Sequence, residues 1–227
     1  MSNDVTRIDY TGTGLSEEEI APTPWQQARI WVDEAVERSR AQADVPEPHA
    51  LSVATVDADG LPNVRTVLMR YFDERGPGFL TNTSSTKGVE LAATSAIAAS
   101  LTWPSMFRAI RFRGYAVLLD RAEVADYFAS RPWASRISAW ASRQSQPVAS
   151  RAELEEAYEA YAVRWPDRGN ADDVPLPDFW GGYRILCDEV EFWGGRTNRL
   201  HDRLVFTRTG DGDLDTADAW SLSRRQP

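Results

Sequence analysis

The chain has 227 residues, 42% hydrophobic and 11% aromatic, enough apolar mass for one sizeable core with surface left for a subunit contact. Its net charge of −9 sets a general repulsion against nucleic acid and anionic membranes, so neither is an expected partner. No apolar run approaches the roughly 20 residues of a membrane helix, Met1-Ser2-Asn3-Asp4 lacks the basic-then-apolar start of a signal peptide, and the single Cys187 has no Cys or His partners for a metal site. The expectation is a cytoplasmic protein without a metal.

In chain order, residues 1–22 are polar and rich in Pro, Gly and Glu, which reads as a mobile arm; residues 23–227 read as one domain. Trp25, Ala28, Trp31, Val32 and Ala35 keep helical spacing and predict a first helix from Trp25 to Arg40. After Pro46 and Pro48 the pattern changes to strands. Leu51 to Val56 and Val64 to Tyr71 flank the turn Asp57-Ala58-Asp59-Gly60, a hairpin signal. A strand near Gly78–Thr81 runs into the polar loop Asn82–Thr86, and Lys87 opens a short helix. Ala96–Trp103 and Phe107–Leu119 form a second strand pair, and helices follow at 121–130, 133–142 and 151–164, the last with Ser150 and Glu153 in capping-box spacing. Strands return near 182–186, 189–194 and 203–208. Antiparallel meanders of this kind close into barrels or sandwiches rather than doubly wound sheets.

No GxGxxG after a strand, P-loop, HExxH or GxSxG is present, and two histidines exclude a multi-histidine metal centre. What remains is a set of arginine, lysine, hydroxyl and indole groups, which suits a bound organic cofactor that brings its own reactivity. Arg65 and Arg70 are five apart and face opposite sides of a regular strand, so they serve one site only if the sheet is closed, bulged or dimerised. The segment Thr81 to Lys87 puts hydroxyls, amides and a lysine at a helix N-terminus, where phosphate binding is favourable. Tyr127 and Arg131 share a helix face, and Ser135 follows beyond Pro132; together they could grip a phosphate ester. The densest signal is Glu191 to Arg203: Arg199, His201 and Arg203 alternate along what reads as an extended segment, just after Trp193, whose indole can pack on a flat ring. A histidine flanked by two arginines is costly to crowd together without an anion or electron-rich ring nearby.

At these residues the chain resembles the pyridoxamine 5'-phosphate oxidases. The blocks are Arg65-Thr66-Val67-Leu68-Met69-Arg70, Thr81-Asn82 through Lys87, Tyr127-Phe128-Ala129-Ser130-Arg131-Pro132, Ala139 to Ser145, Phe179-Trp180-Gly181-Gly182-Tyr183, Glu191-Phe192-Trp193 and Arg199-Leu200-His201-Asp202-Arg203. The resemblance implies an α+β, mainly β fold: an antiparallel split β-barrel with peripheral helices, binding FMN at a homodimer interface. It implies cofactor contacts from Arg65, Thr66, Val67, Leu68, Arg70, Leu80, Thr81, Thr86, Lys87, Gln144, Ser145, Trp193 and Arg203, with Gln144, Ser145, Trp193 and Arg203 coming from the partner subunit or closing the flavin's other side.

The resemblance also implies that the substrate phosphate meets Arg70, Tyr127, Arg131 and Ser135, that Arg199 and His201 lie at the reacting carbon, and that Arg7 and Tyr10 belong to an arm that folds over the substrate. The implied reaction is oxidation of pyridoxamine 5'-phosphate, and of pyridoxine 5'-phosphate, to pyridoxal 5'-phosphate, with dioxygen as acceptor and hydrogen peroxide as product. The chain departs from the family's pattern at Arg70, where a lysine is usual, and at Leu80, Thr86, Ala109 and Gly194. Two rivals remain on the same scaffold: an oxidase of phenazine precursors, in which Trp-Gly also follows the Glu-Phe pair, and a non-catalytic FMN or B6-phosphate carrier.

Overall fold

The computed structural model describes residues 9–227. Helix α1 (Pro24–Ala41) starts where Thr23 accepts a hydrogen bond from the Gln26 amide and Pro24 supplies a pre-set φ. Its buried stripe, Ala28, Trp31, Val32 and Ala35, lies on the core. The hairpin β1 (Ala50–Val56) and β2 (Pro62–Leu68) pairs in register from Ala50↔Leu68 to Val56↔Pro62. Leu51, Val53 and Thr55 point inward with period two.

The next strands are β3 (Tyr71–Asp73) and β4 (Gly76–Asn82), followed by helix α2 (Thr86–Thr94), then β5 (Ala96–Trp103) and β6 (Arg108–Leu118). Helices α3 (Arg121–Ser130), α4 (Trp133–Ala141) and α5 (Arg151–Arg164) precede β7 (Trp180–Gly194), β8 (Asp202–Arg208) and β9 (Trp220–Arg224). The strands form one antiparallel sheet in the order β2-β1-β5-β6-β7-β4-β3, with β8 on β7 and β9 on β8, which curls into a half-barrel. This is the expected split-barrel class. Strand β7 is its spine: one edge pairs with β6, the other first with β4 (Trp180–Arg184) and then with β8 (Glu189–Gly194).

Three expectations change. The strand expected to run on to Tyr71 stops at Leu68, because the chain changes neighbours there: the Met69 amide donates to His49 O, and the Arg70 amide donates to Gly78 O at 2.8 Å. The two strands expected at 182–186 and 189–194 are one, interrupted by a bulge where Arg113 pairs with Glu189 but Gly114 with Cys187, leaving Asp188 as the extra residue. A Cβ at Gly114 would drive into the Leu186 carbonyl, so the backbones meet there only because 114 is glycine. Strand β9 gave no sequence signal, since after Trp220 its residues are exposed and show no alternation.

The main core fills the space between the sheet and α1, with Trp31 edge-on to Phe192 at 5.4 Å between ring centres. Cys187 lies in it, its thiol pushed up to about 12 by burial and so inert. A second apolar cluster joins α3 and α4 to Trp180. Helix α5 begins with the expected cap: Ser150 Oγ accepts from the Glu153 amide, and Glu153 accepts from the Ala149 amide.

Candidate cofactor and substrate site

A cleft of about 1040 Å³ opens between β2, the β4–α2 junction and the α3–α4 corner. Helix α2 begins at the cleft with Ser85 as its N-cap, but the Ser85 side chain makes no capping bond, so the first-turn amides are not closed off by it. Ser85 Oγ instead donates to Asn82 O at 2.7 Å, and the Ser84 amide donates to Asn82 Oδ1 at 2.7 Å, which folds the loop tightly before the helix.

Lys87 is the only lysine of the chain and is 5% exposed. Its Nζ donates to Gln144 Oε1 at 2.8 Å, Thr81 Oγ1 at 3.0 Å and Ser85 Oγ at 3.1 Å. Three acceptors converging on one tetrahedral ammonium are a geometry a planar guanidinium does not reproduce. Burial, and next the nearby Arg65 charge, push Lys87 down to about 8, against the opposing pull of Glu90. Arg65, on β2, donates to Thr55, to Val53 O at 3.4 Å and to Glu90 Oε2 at 3.1 Å. Asn63 donates to the other Glu90 oxygen at 3.1 Å. Burial raises the Glu90 carboxyl, but hydrogen bonds from Thr55, Asn63 and Arg65 outweigh it and hold the carboxyl below its ordinary range.

At the opposite wall the Tyr127 and Trp180 rings stack at 6.2 Å and 12°, and the Arg131 guanidinium lies 4.9 Å from the Trp180 ring centre. Arg131 sits just past the end of α3 with extended backbone, Ser135 follows on α4, and both line the cleft. Arg131 Nη1 is buried without a hydrogen-bond partner among the described residues. Its pKa is lowered by burial, with Arg70 adding to the effect against Tyr127.

The cleft therefore gathers Arg65, Thr66, Val67, Leu68, Arg70, Leu80, Thr81, Thr86, Lys87, Tyr127, Arg131, Ser135, Gln144 and Ser145 of a single chain. Arg65 and Arg70 reach it together because the strand ends between them. Gln144, for which a partner origin was one expectation, lies in the same chain's cleft against Lys87. Sequence reasoning missed Glu90 and Thr55, which hold Arg65 from behind, and Asn63, which bonds Glu90; the spacing of Lys87 and Glu90, three apart on one helix face, was the available signal.

Trp193, Arg199, His201 and Arg203 do not line this cleft. Thr81 pairs with Gly181 near the start of β7, whereas Trp193 is near its end, a strand path of about 40 Å. His201 packs against Trp193 at 4.8 Å and Tyr10 at 5.2 Å between ring centres, and its Nδ1 accepts from the Arg196 amide at 3.1 Å, which leaves the proton of the neutral ring on Nε2. Arg7 lies outside the described residues.

The expected extended run through 199–203 is replaced by a 3-10 turn at Thr197–Arg199, with Asn198 and Arg199 at φ 56° and 60°, and the strand starts only at Asp202. The crowding argument for this segment also fails. Arg203 is neutralised by Glu191 through two bonds of 3.0 and 2.8 Å, and Arg199 is exposed. Asp202, 7% exposed, joins three segments: it accepts from the Leu15 amide at 3.0 Å and from Arg196 and Arg224, and Arg224 also pairs with Glu17.

The fold and the cleft together define a class: an antiparallel half-barrel that presents a cationic, hydroxyl-lined pocket. Residues 38–164 match the family model described as pyridoxamine 5'-phosphate oxidase, and residues 180–227 match the model for the pyridoxine 5'-phosphate oxidase C-terminal dimerisation region. The chain is 46% identical over 222 residues to the pyridoxine/pyridoxamine 5'-phosphate oxidase of Kineococcus radiotolerans, covering 97% of each chain. It is 43% identical over 221 residues to the enzyme of that name from Streptomyces avermitilis, covering 97% of this chain and 94% of the relative.

Among solved structures, PhzG of Burkholderia lata in complex with tetrahydrophenazine-1-carboxylic acid superposes with a TM-score of 0.81 at 27% identity, covering 96% of this chain and all of that one. A pyridoxamine 5'-phosphate oxidase-related, FMN binding protein of Nostoc punctiforme shares the fold at a TM-score of 0.67 and 18% identity, covering 92% of this chain and all of that one. The protein belongs to the pyridoxamine 5'-phosphate oxidase family.

Proposed function

We propose that this protein is an FMN-dependent oxidase that converts pyridoxamine 5'-phosphate, and pyridoxine 5'-phosphate, to pyridoxal 5'-phosphate with reduction of dioxygen to hydrogen peroxide. The observation that carries this reading is the cleft itself: on a chain of net charge −9, Arg65, Arg70, Lys87 and Arg131 converge on one pocket. The donor set fits a phosphate, since a protonated Lys87 is flanked by the Thr81 and Ser85 hydroxyls at an open helix N-terminus. The buried, partnerless Nη1 of Arg131 is a second donor that an anion satisfies.

In this reading Arg65, Thr66, Val67, Leu68, Arg70, Leu80, Thr81, Thr86 and Lys87 hold FMN, with Gln144 and Ser145 beside them. FMN, when bound, supplies hydride acceptance and reaction with dioxygen. Tyr127, Arg131, Ser135 and Arg70 anchor the substrate phosphate, which turns the encounter of ring and cofactor into a positioned, effectively unimolecular event. Trp193 lies at the end of β7 away from the same chain's cleft, and Arg199, His201 and Arg203 follow beyond that end. A second copy supplies them, in keeping with the match to a dimerisation region. His201 offers an Nε2–H donor to the substrate ring, and Tyr10, packed against His201, covers the site against water.

The second reading is an oxidase of a reduced phenazine carboxylate, favoured by the 0.81 superposition on PhzG and by Gly194 after Trp193. One experiment separates the two. The purified protein is reconstituted with FMN, and pyridoxamine 5'-phosphate or tetrahydrophenazine-1-carboxylic acid is added in air while peroxide is followed. Aldehyde and peroxide in equal amounts from the first substrate support the B6 reading. Peroxide from the second alone moves the protein to the phenazine reading, and a protein that takes up FMN without turnover is a carrier.

A further inference from the structure

Among the described residues no aspartate or glutamate lines the cleft, yet Glu90 stands directly behind its wall, 6% exposed. A buried carboxylate is costly unless bonded on most of its lone pairs. Here the bonds come from two strands, Thr55 of β1 and Asn63 and Arg65 of β2, while Glu90 itself rides on α2 one turn beyond Lys87. We infer that Glu90 is the positioning residue of the anion cradle: its carboxylate fixes the Arg65 guanidinium against the β1–β2 hairpin and keeps the Lys87 ammonium charged for an incoming phosphate. This deepens the phosphate-cofactor reading above and rests on it.

The placement resolves a conflict. Two cations side by side repel each other, and burial disfavours both, so without a countercharge the lysine sheds its proton and the arginine turns away to solvent. A countercharge on the cleft surface would repel the phosphate. Behind the wall, Glu90 offsets the cations without meeting the ligand. The charged groups facing Lys87 are Arg65 from β2 and Glu90 from its own helix; Thr81 of β4 and Gln144 after α4 are neutral, and Arg70, Tyr127 and Arg131 line the same cleft.

Because Lys87 is the only lysine, isotope-labelled lysine gives one side-chain NMR signal whose titration reads this amine directly. In the full-length protein its expected midpoint is about 8. In Glu90→Gln, which keeps shape but removes charge, the midpoint falls by about one pH unit. FMN affinity near neutral pH drops about tenfold, while riboflavin, which has no phosphate, binds as before. Glu90→Asp keeps the charge but loses the reach to Arg65, so the Lys87 midpoint holds and FMN still weakens.

An unmoved Lys87 midpoint in Glu90→Gln, or equal weakening of FMN and riboflavin, overturns the inference. Should Glu90→Gln not fold, Arg65→Gln acts from the other side: the Lys87 midpoint then rises, and a fixed midpoint overturns the proposal. If the wild type binds neither flavin, the cofactor reading fails separately. The Lys87 titration, with inorganic phosphate as the anion probe, still decides the role of Glu90.

Discussion

Lys87 is the residue on which the most chemistry turns. An ammonium that exchanges one of its three acceptors for a phosphate contributes the charge-assisted part of binding, about 1.5–3 kcal/mol. Lys87→Gln is therefore expected to weaken FMN by about 10- to 100-fold and leave riboflavin unchanged, measured by quenching of flavin fluorescence. The pH dependence has a fixed sign. Binding needs the protonated amine, so FMN affinity falls as pH rises through about 8. Stability runs the other way: burial penalises the charged amine fully below about 8, and the penalty is relieved as pH rises toward the unfolded value of 10.5. The residue is legible as a candidate phosphate ligand from its place at a helix start. Its lowered pKa is not, because that depends on Arg65 and on burial beneath Gln144, 57 residues away.

At the scale of elements, β7 and the turn that follows it organise the molecule. Gly114→Val would press a branched side chain into the Leu186 carbonyl at the bulge, and is expected to lower unfolding free energy by about 2–4 kcal/mol in denaturant titrations. Asp202 ties the N-terminal segment to the 196–201 turn and to β9. Asp202→Ala should speed hydrogen exchange of the Leu15 amide by about tenfold or more, while core amides of β6 keep their protection. Low pH opens the same junction. The hydrogen bond from Arg224 holds Glu17 down at about 2, and the Asp202 carboxyl, which burial raises, is held below its ordinary range by bonds from Leu15, Arg224 and Arg196. The Glu17–Arg224 pair is complete above the usual carboxylate range and is lost as pH falls through about 2. The Asp202 bonds are complete above the same range and are lost on acidification below it, which the Leu15 amide would report.

At the scale of the whole molecule, the cleft and the Trp193–His201 group lie toward opposite ends of β7, so the site of the proposed function draws on two chains. Mixing and refolding a Lys87→Gln variant with a His201→Ala variant tests this. Each heterodimer then holds one intact site and one doubly broken site, and activity should return to about a quarter of the wild-type level. No recovery would mean that each chain builds its own site. The exposed apolar side chains of β6 and β7, Tyr115, Val117 and Leu186, supply surface that such an assembly can bury.

Period-two and helical spacing placed nearly every element, because strands and helices declare which face they bury within a few residues. The block at 65–70, the 81–87 loop and the Tyr127–Arg131 pair singled out residues that line one cleft, because phosphate chemistry limits which side chains can serve. Three matters were left to tertiary structure. The change of partner at Leu68–Arg70 brings two arginines to one cleft, the fusion of two expected strands into β7 is fixed by a glycine against a carbonyl, and Arg203 is matched with Glu191. Each depends on which distant backbone lies alongside. Local pattern sets what a residue can do, and the closing of the sheet sets which partner it meets.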